Sequence, residues 1–152
     1  MGAFPPDMID TERIVDLKAH SKQEALDELI ALLCTSPRAG DPDEVRRKIL
    51  DRESSHSTGI GMGVAMPHAK TTSSKGFAVA VGRSQAGVDF DAVDGKPVSI
   101  IVMMVCNESQ SGDFLKVMAR FAKCLKDKDF RREVLFARSP EAIRELFATA
   151  PA

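Results

Sequence analysis

The run Val98-Ser-Ile-Ile-Val-Met-Met-Val105 has a single polar side chain, and it restricts the architecture of this chain more than any other segment. Eight residues suit a strand better than a buried helix, and a strand apolar at both odd and even positions must be covered on both faces. A second strand is expected at Phe77-Ala-Val-Ala-Val81, with a turn at Asp94-Gly95 between the two. Arg13-Ile-Val-Asp-Leu17 reads as a further short strand. Helical layers must therefore lie above and below a sheet.

The flanking segments supply those layers. Ser21-Lys-Gln-Glu24 is a capping box, and Ala25, Leu26, Leu29, Ile30 and Leu33 follow at helical spacing, so a helix is expected from Ser21 to about Cys34. Pro37 to Pro42 interrupts the chain. Asp41-Pro42-Asp43-Glu44 then opens a second helix, with Val45, Ile49 and Leu50 as its buried stripe and Arg52 and Glu53 near its end. Helical period returns from about Gly112 through Phe114, Leu115, Val117, Met118, Phe121, Ala122 and Leu125. Asp129 to Phe136 and Ser139-Pro140 to Phe147 are expected as two more helices. The reading is an α/β single domain over residues 9–150, preceded by a loose proline-containing arm over residues 1–8.

Charge and composition exclude several classes. With 21 basic and 22 acidic residues there is no footprint for nucleic acid or an anionic membrane. Cys34, Cys106 and Cys124 lack zinc-type spacing and lie in apolar stretches, as buried thiols in a reducing compartment do. The N-terminus has no charged region followed by an apolar run, and no stretch has the ~20 apolar residues of a membrane helix. A cytoplasmic protein without direct membrane insertion is expected.

Chemistry concentrates in Thr58-Gly-Ile-Gly-Met-Gly-Val-Ala-Met-Pro-His68. Gly59, Gly61 and Gly63 alternate, so the backbone can turn sharply and present bare N–H groups of the kind a phosphate needs. His68 follows a residue that fixes φ. Its neutral imidazole is nucleophilic near neutral pH and forms a phosphoramidate reactive enough to hand the group on. The dinucleotide fingerprint fails because Val64 and Met66 stand where a third glycine is required, and no P-loop Gly-Lys-Ser/Thr occurs.

Arg52-Glu53 followed by Ser57-Thr58-Gly-Ile-Gly-Met-Gly-Val-Ala-Met-Pro-His68 resembles the active-site signature of enzyme IIA domains of the bacterial phosphoenolpyruvate-dependent sugar phosphotransferase system, in the fructose, mannitol and nitrogen-regulatory branch. The similarity extends through Val88-Asp-Phe-Asp-Ala-Val-Asp-Gly-Lys-Pro-Val98 and covers roughly residues 9–148. The resemblance implies a mixed β-sheet flanked by helices on both faces, and His68 as the phosphoryl acceptor. It implies a phosphorylated HPr-type carrier as donor, and regulatory target proteins or a IIB component as further partners. It implies Arg52 beside the phosphoryl group, a pocket shaped by Thr58 and the backbone of Gly59, Gly61 and Gly63, and neither metal nor cofactor. The absence of an attached IIB, HPr or membrane domain points to the nitrogen-regulatory kind; a stand-alone fructose or mannitol IIA subunit is the neighbouring alternative.

One position departs from the family pattern. A second active-site histidine often opens the helix after the long central strand, and here the stretch is Asp113-Phe114-Leu115-Lys116, with Phe114 in its place. A phenyl ring donates no hydrogen bond, and losing one contact to transition-state charge costs ~10²–10³ in rate. Asp113, Gln110 or a water are the candidates for compensation. A binding module that keeps the fold without turnover is the competing reading. His56 and His20 are expected at the surface, and Arg52 could alternatively serve the end of its helix.

Overall fold

The computed structural model describes residues 8–150, so the expected arm, but for residue 8, lies outside the described residues. Two short 3₁₀ turns, at Thr11–Arg13 and Glu108–Gln110, punctuate six strands and five helices among those residues. The strands are β1 (Ile14–Asp16), β2 (Gly59–Gly61), β3 (Val64–Ala65), β4 (His68–Thr71), β5 (Ala78–Val88) and β6 (Val98–Asn107). The helices are α1 (Lys22–Leu33), α2 (Pro42–Ser55), α3 (Ser111–Lys126), α4 (Lys128–Phe136) and α5 (Pro140–Thr149).

The helix starts follow local chemistry. Ser21 accepts from the Glu24 N–H, Asp41 from Asp43 and Ser139 from Ala142, each satisfying a donor that the first turn leaves free. Pro42 and Pro140 sit at first helical positions, where the missing N–H costs nothing.

The sheet is mixed, in the order β1-β5-β6-β3-β2, with β4 also on β6. β5 and β6 pair antiparallel, whereas β1 lies parallel to β5, and β3 and β4 lie parallel to β6. The central position expected for residues 98–105 is realised, and its period of two divides the interior. Ile100, Val102, Met104 and Cys106 face a core shared with Phe114, Phe121, Leu125, Val134 and Phe147. Ile101, Met103 and Val105 face the other core, with Leu26, Leu29, Leu33, Val45 and Ile49. Thus α1 and α2 cover one face and α3, α4 and α5 the other.

Two expectations need correction. β5 runs on to Val88, because pairing with β6 resumes at Val88 opposite Val98 after an irregular stretch that follows Arg83. The segment after Thr58, expected to turn sharply and present bare N–H groups, is instead three short strands. Each strand is too short to show a period of two in sequence, and Pro67, which has no N–H to offer a ladder, divides β3 from β4. Together β3 and β4 follow one edge of β6, opposite Ile100 and Ile101 and then Met104 to Asn107.

Candidate functional site

The interruption at Met66-Pro67 sets the chemistry of the next residue. The Met66 carbonyl turns to the ring of His68, 2.8 Å from Nδ1. A carbonyl oxygen only accepts, so Nδ1 carries the hydrogen and donates it, leaving the lone pair on Nε2. Burial lowers the His68 pKa from its ordinary value, and the charges of Arg52 and Lys70 lower it further against the opposing effects of the Met66 carbonyl and Glu53. The ring is therefore neutral at neutral pH, half-buried and nucleophilic at Nε2.

His68 stands on the boundary between two depressions that also share Arg52 and Leu115. One is a cleft of about 670 Å³ whose further lining includes Lys48, Lys70, Glu108, Ser111 and Phe114. Its lining carries a cationic excess. The other, about 390 Å³, is bounded by Ile60, Met66, Met118, Ala119 and Ala122 and is largely apolar. Polar chemistry lies on one side of the imidazole and a greasy groove on the other.

Helix α2 brings Lys48 and Arg52 to the cleft one turn apart. Arg52 Nη1 donates to the His56 carbonyl at 3.0 Å, just beyond the helix end. Its helix-end role and its place in the cleft therefore coexist, and one bond to a described residue leaves guanidinium donors that a ligand can use. The next residue, Glu53, points the other way and is buried. Its carboxylate accepts from Thr58 N at 2.8 Å and Thr58 Oγ1 at 2.6 Å and pairs with Lys22 Nζ at 3.0 Å. At the opposite end of α2, Glu44 accepts from the N–H and hydroxyl groups of both Thr72 and Ser73, which hold its pKa down at about 2. Helix α2 is thus tied to the chain before and after β4.

The three glycines serve the hairpin rather than the walls of these depressions. Gly61 pairs with Val64, and the two residues between, Met62 and Gly63, have φ of 62° and 74°, as a type I′ hairpin turn requires. The Met62 N–H is held by Asp94 Oδ2 at 3.3 Å. Gly59 is required by close approach, since a Cβ there would lie 2.8 Å from Ala92 Cα. None of Gly59, Gly61 and Gly63 lines the cleft or the groove, and the backbone cradle expected from their spacing is not formed there. Thr58 lines the groove, but its hydroxyl proton is committed to Glu53.

Phe114, at the start of α3, is buried with its ring centroid 5.5 Å from that of His68. It packs beside the imidazole and donates nothing. Of the compensating groups considered from sequence, neither side chain lines the cleft or the groove: Asp113 is exposed, and Gln110 caps the turn before α3, its Oε1 accepting from Asn107 N. Lys48, Lys70 and Ser111 were not singled out from sequence. The available signal was spacing: Lys70 is two residues from His68 on a strand, and Lys48 four from Arg52 on a helix. His56 and His20 are exposed, and neither lines the cleft. Cys106 and Cys124 are buried, whereas Cys34 is half-buried. Among the described residues no cluster of His, Cys, Asp or Glu is arranged for a metal ion, and no helix is long and apolar enough to cross a membrane.

A family model described as phosphoenolpyruvate-dependent sugar phosphotransferase system, EIIA 2, matches residues 8–150. The fructose-specific EIIABC component of Bacillus subtilis is 34% identical over 132 residues, which is 87% of this chain and 21% of that protein. The chain therefore spans about a fifth of that relative's length. The nitrogen regulatory protein of Bradyrhizobium diazoefficiens is 33% identical over 151 residues, 96% of this chain and 95% of that one. Among solved structures, nitrogen regulatory protein IIA-Ntr from Neisseria meningitidis superposes with a TM-score of 0.87 at 30% identity, covering 93% of this chain and 97% of its own.

Proposed function

This chain belongs to the EIIA 2 family of the phosphoenolpyruvate-dependent sugar phosphotransferase system, and on that premise we propose that it is a cytoplasmic phosphocarrier whose acceptor atom is His68 Nε2. The observation that carries the assignment is the hydrogen bond from His68 Nδ1 to the Met66 carbonyl, which leaves the other ring nitrogen unprotonated at the boundary of the cationic cleft.

The donor is a phosphorylated HPr-type protein. Its N–P bond breaks and the electron pair returns to the donor imidazole, while the Nε2 lone pair forms the new N–P bond. A donor ring protonated on its other nitrogen leaves as neutral imidazole, and the phosphorylated His68 ring keeps its Nδ1 proton, so no proton need be exchanged. The Met66 carbonyl faces the positive charge that develops on that ring. Arg52 matches the equatorial oxygens, over which charge spreads in a loose transition state. The apolar groove offers the carrier a desolvated seat beside the reacting atoms.

The likeness to nitrogen regulatory proteins in both sequence and structure supports a regulatory reading, with a fructose- or mannitol-type transport subunit as the alternative. Targets then distinguish two states that differ by a charge of roughly −2 at His68. Phe114 favours a second reading, a binding module that docks partners through the same face without turnover.

The test is transfer of label from phosphoenolpyruvate through enzyme I and a panel of HPr-type carriers. Acid-labile label on the wild type, absent from His68→Ala, with ¹⁵N–³¹P coupling at Nε2, is the expected outcome. A folded wild type that takes no label from any carrier overturns the phosphocarrier reading and leaves the binding module. Rapid onward transfer to a fructose- or mannitol-type IIB would reassign the chain to transport.

A further inference from the structure

We propose that Lys70 is a catalytic residue of the transfer, its ammonium group binding phosphoryl oxygens at His68 Nε2 across the cleft from Arg52. The inference rests on the phosphocarrier reading and extends it to a residue outside the recognised motif.

Placement comes from β4. His68 and Lys70 are two residues apart on that strand, so they share a face, while Ala69 between them packs into the opposite core. Both long side chains meet the start of α3. The Phe114 ring lies 5.5 Å from the His68 ring and 5.7 Å from Lys70 Nζ, so one phenyl group contacts both the acceptor and the ammonium. Lys70 also lines the same cleft as His68 and Arg52.

Its hydrogen-bonding capacity is largely unspent. The polar partner of Lys70 among the described residues is Ser111 Oγ, at 3.4 Å. That hydroxyl donates its own proton to the Glu108 carbonyl, so it accepts from Lys70 and steadies the ammonium without neutralising it. An ammonium has three donors, which leaves two for a ligand. Glu108 is the acid in the cleft lining, against Lys48, Arg52 and Lys70.

The geometry assigns the cations different sides. Lys48 and Arg52 descend from α2, which covers one face of the sheet, whereas Lys70 projects from β4 toward α3, on the other. A phosphoryl group has three equatorial oxygens, and a clamp from one side leaves part of the charge uncovered. Lys70 covers it with charge and hydrogen bonds, keeps its proton throughout, and forms no covalent bond. Phe114 provides the apolar surface that keeps the ammonium stem in place.

The experiment is quenched-flow transfer from a phosphorylated HPr-type carrier, with the carrier concentration varied, on wild type, Lys70→Met, Lys70→Arg, Phe114→His and Lys70→Met/Phe114→His. Lys70→Met is expected to lower the saturating rate ~10²–10³-fold, with label still at His68 and thermal unfolding unchanged, since Lys70 is exposed. Lys70→Arg should retain most of the rate. The double variant should recover much of the loss, because an imidazole at residue 114 restores a donor beside the acceptor. A Lys70→Met protein that transfers at the wild-type saturating rate overturns the proposal, and so does a loss confined to the carrier KM, which would make Lys70 a docking residue. In either case labelled His68 leaves the phosphocarrier reading intact. A wild type that accepts no label is a separate outcome that defeats both.

Discussion

The two walls that enclose His68 are built on opposite principles. The α2 wall is polar and tethered: Glu44 grips Thr72 and Ser73 at one end, and Glu53 grips Thr58 and Lys22 at the other. The α3 wall is held by packing, with Phe114, Phe121 and Leu125 in the core, and it turns Leu115 outward at 69% exposure. A group that must meet phosphoryl oxygens has to be held to within about 0.5 Å, and directional hydrogen bonds from a buried carboxylate achieve that. A surface that receives another protein needs area and shape instead. On the phosphocarrier reading, the tethered wall holds Arg52, while the packed wall backs Lys70 at its buried end and offers a partner its outer face at Leu115.

The sharpest way to break the comparison is Glu53→Ala. It strands the Thr58 N–H and hydroxyl and leaves Lys22 without its closer carboxylate, so a loss of about 3 kcal/mol in chemical denaturation is expected, together with slower transfer as Arg52 loses its setting. A stability change below about 0.5 kcal/mol would mean that α2 is held by its apolar stripe alone.

Glu44 offers a pH readout of the other tether. Its folded pKa of about 2 lies below the ordinary 4.5, so its contribution is complete above pH 4.5 and disappears as pH falls from 4.5 toward 2. Glu44→Gln should destabilise the protein at neutral pH and flatten the dependence of stability on pH across that window. An unchanged slope would show that the four hydrogen bonds do not discriminate the charged carboxyl.

The smallest structural effect belongs to the α3 wall. Leu115→Ser should change stability by no more than about 0.5 kcal/mol, because the side chain is exposed, yet raise the carrier KM several-fold. A large fall in the unfolding temperature with unchanged KM would give the outer face of α3 a structural role.

Much of this architecture is legible in the residues. The apolar run at 98–105 requires cover on both faces, and serine and aspartate caps mark helix starts to within a residue or so. The segment from Thr58 to His68 misleads about geometry, while the histidine it singles out does line the cleft beside Arg52. Its glycines suit an anion cradle as well as a type I′ turn, and only the pairing of Gly61 with Val64 decides between them. The two-residue spacing of His68 and Lys70 is visible, but it sets them on one face only once residues 68–71 are known to form a strand, and so short a segment does not announce one. Phe114 is visible as a departure, but its contact with both neighbours depends on how α3 meets the sheet.

The carbonyl that fixes the tautomer of His68 belongs to the main chain, and on the phosphocarrier reading this makes the regiochemistry robust to mutation. No side-chain substitution at residue 66 deletes that oxygen; only a change in the path of the chain at the Met66-Pro67 interruption can redirect it. Under the proposed function, sequence drift around the cleft can alter rate, partner and regulatory output while the ring nitrogen left with the lone pair stays the same, so the position of the bond is inherited with the fold.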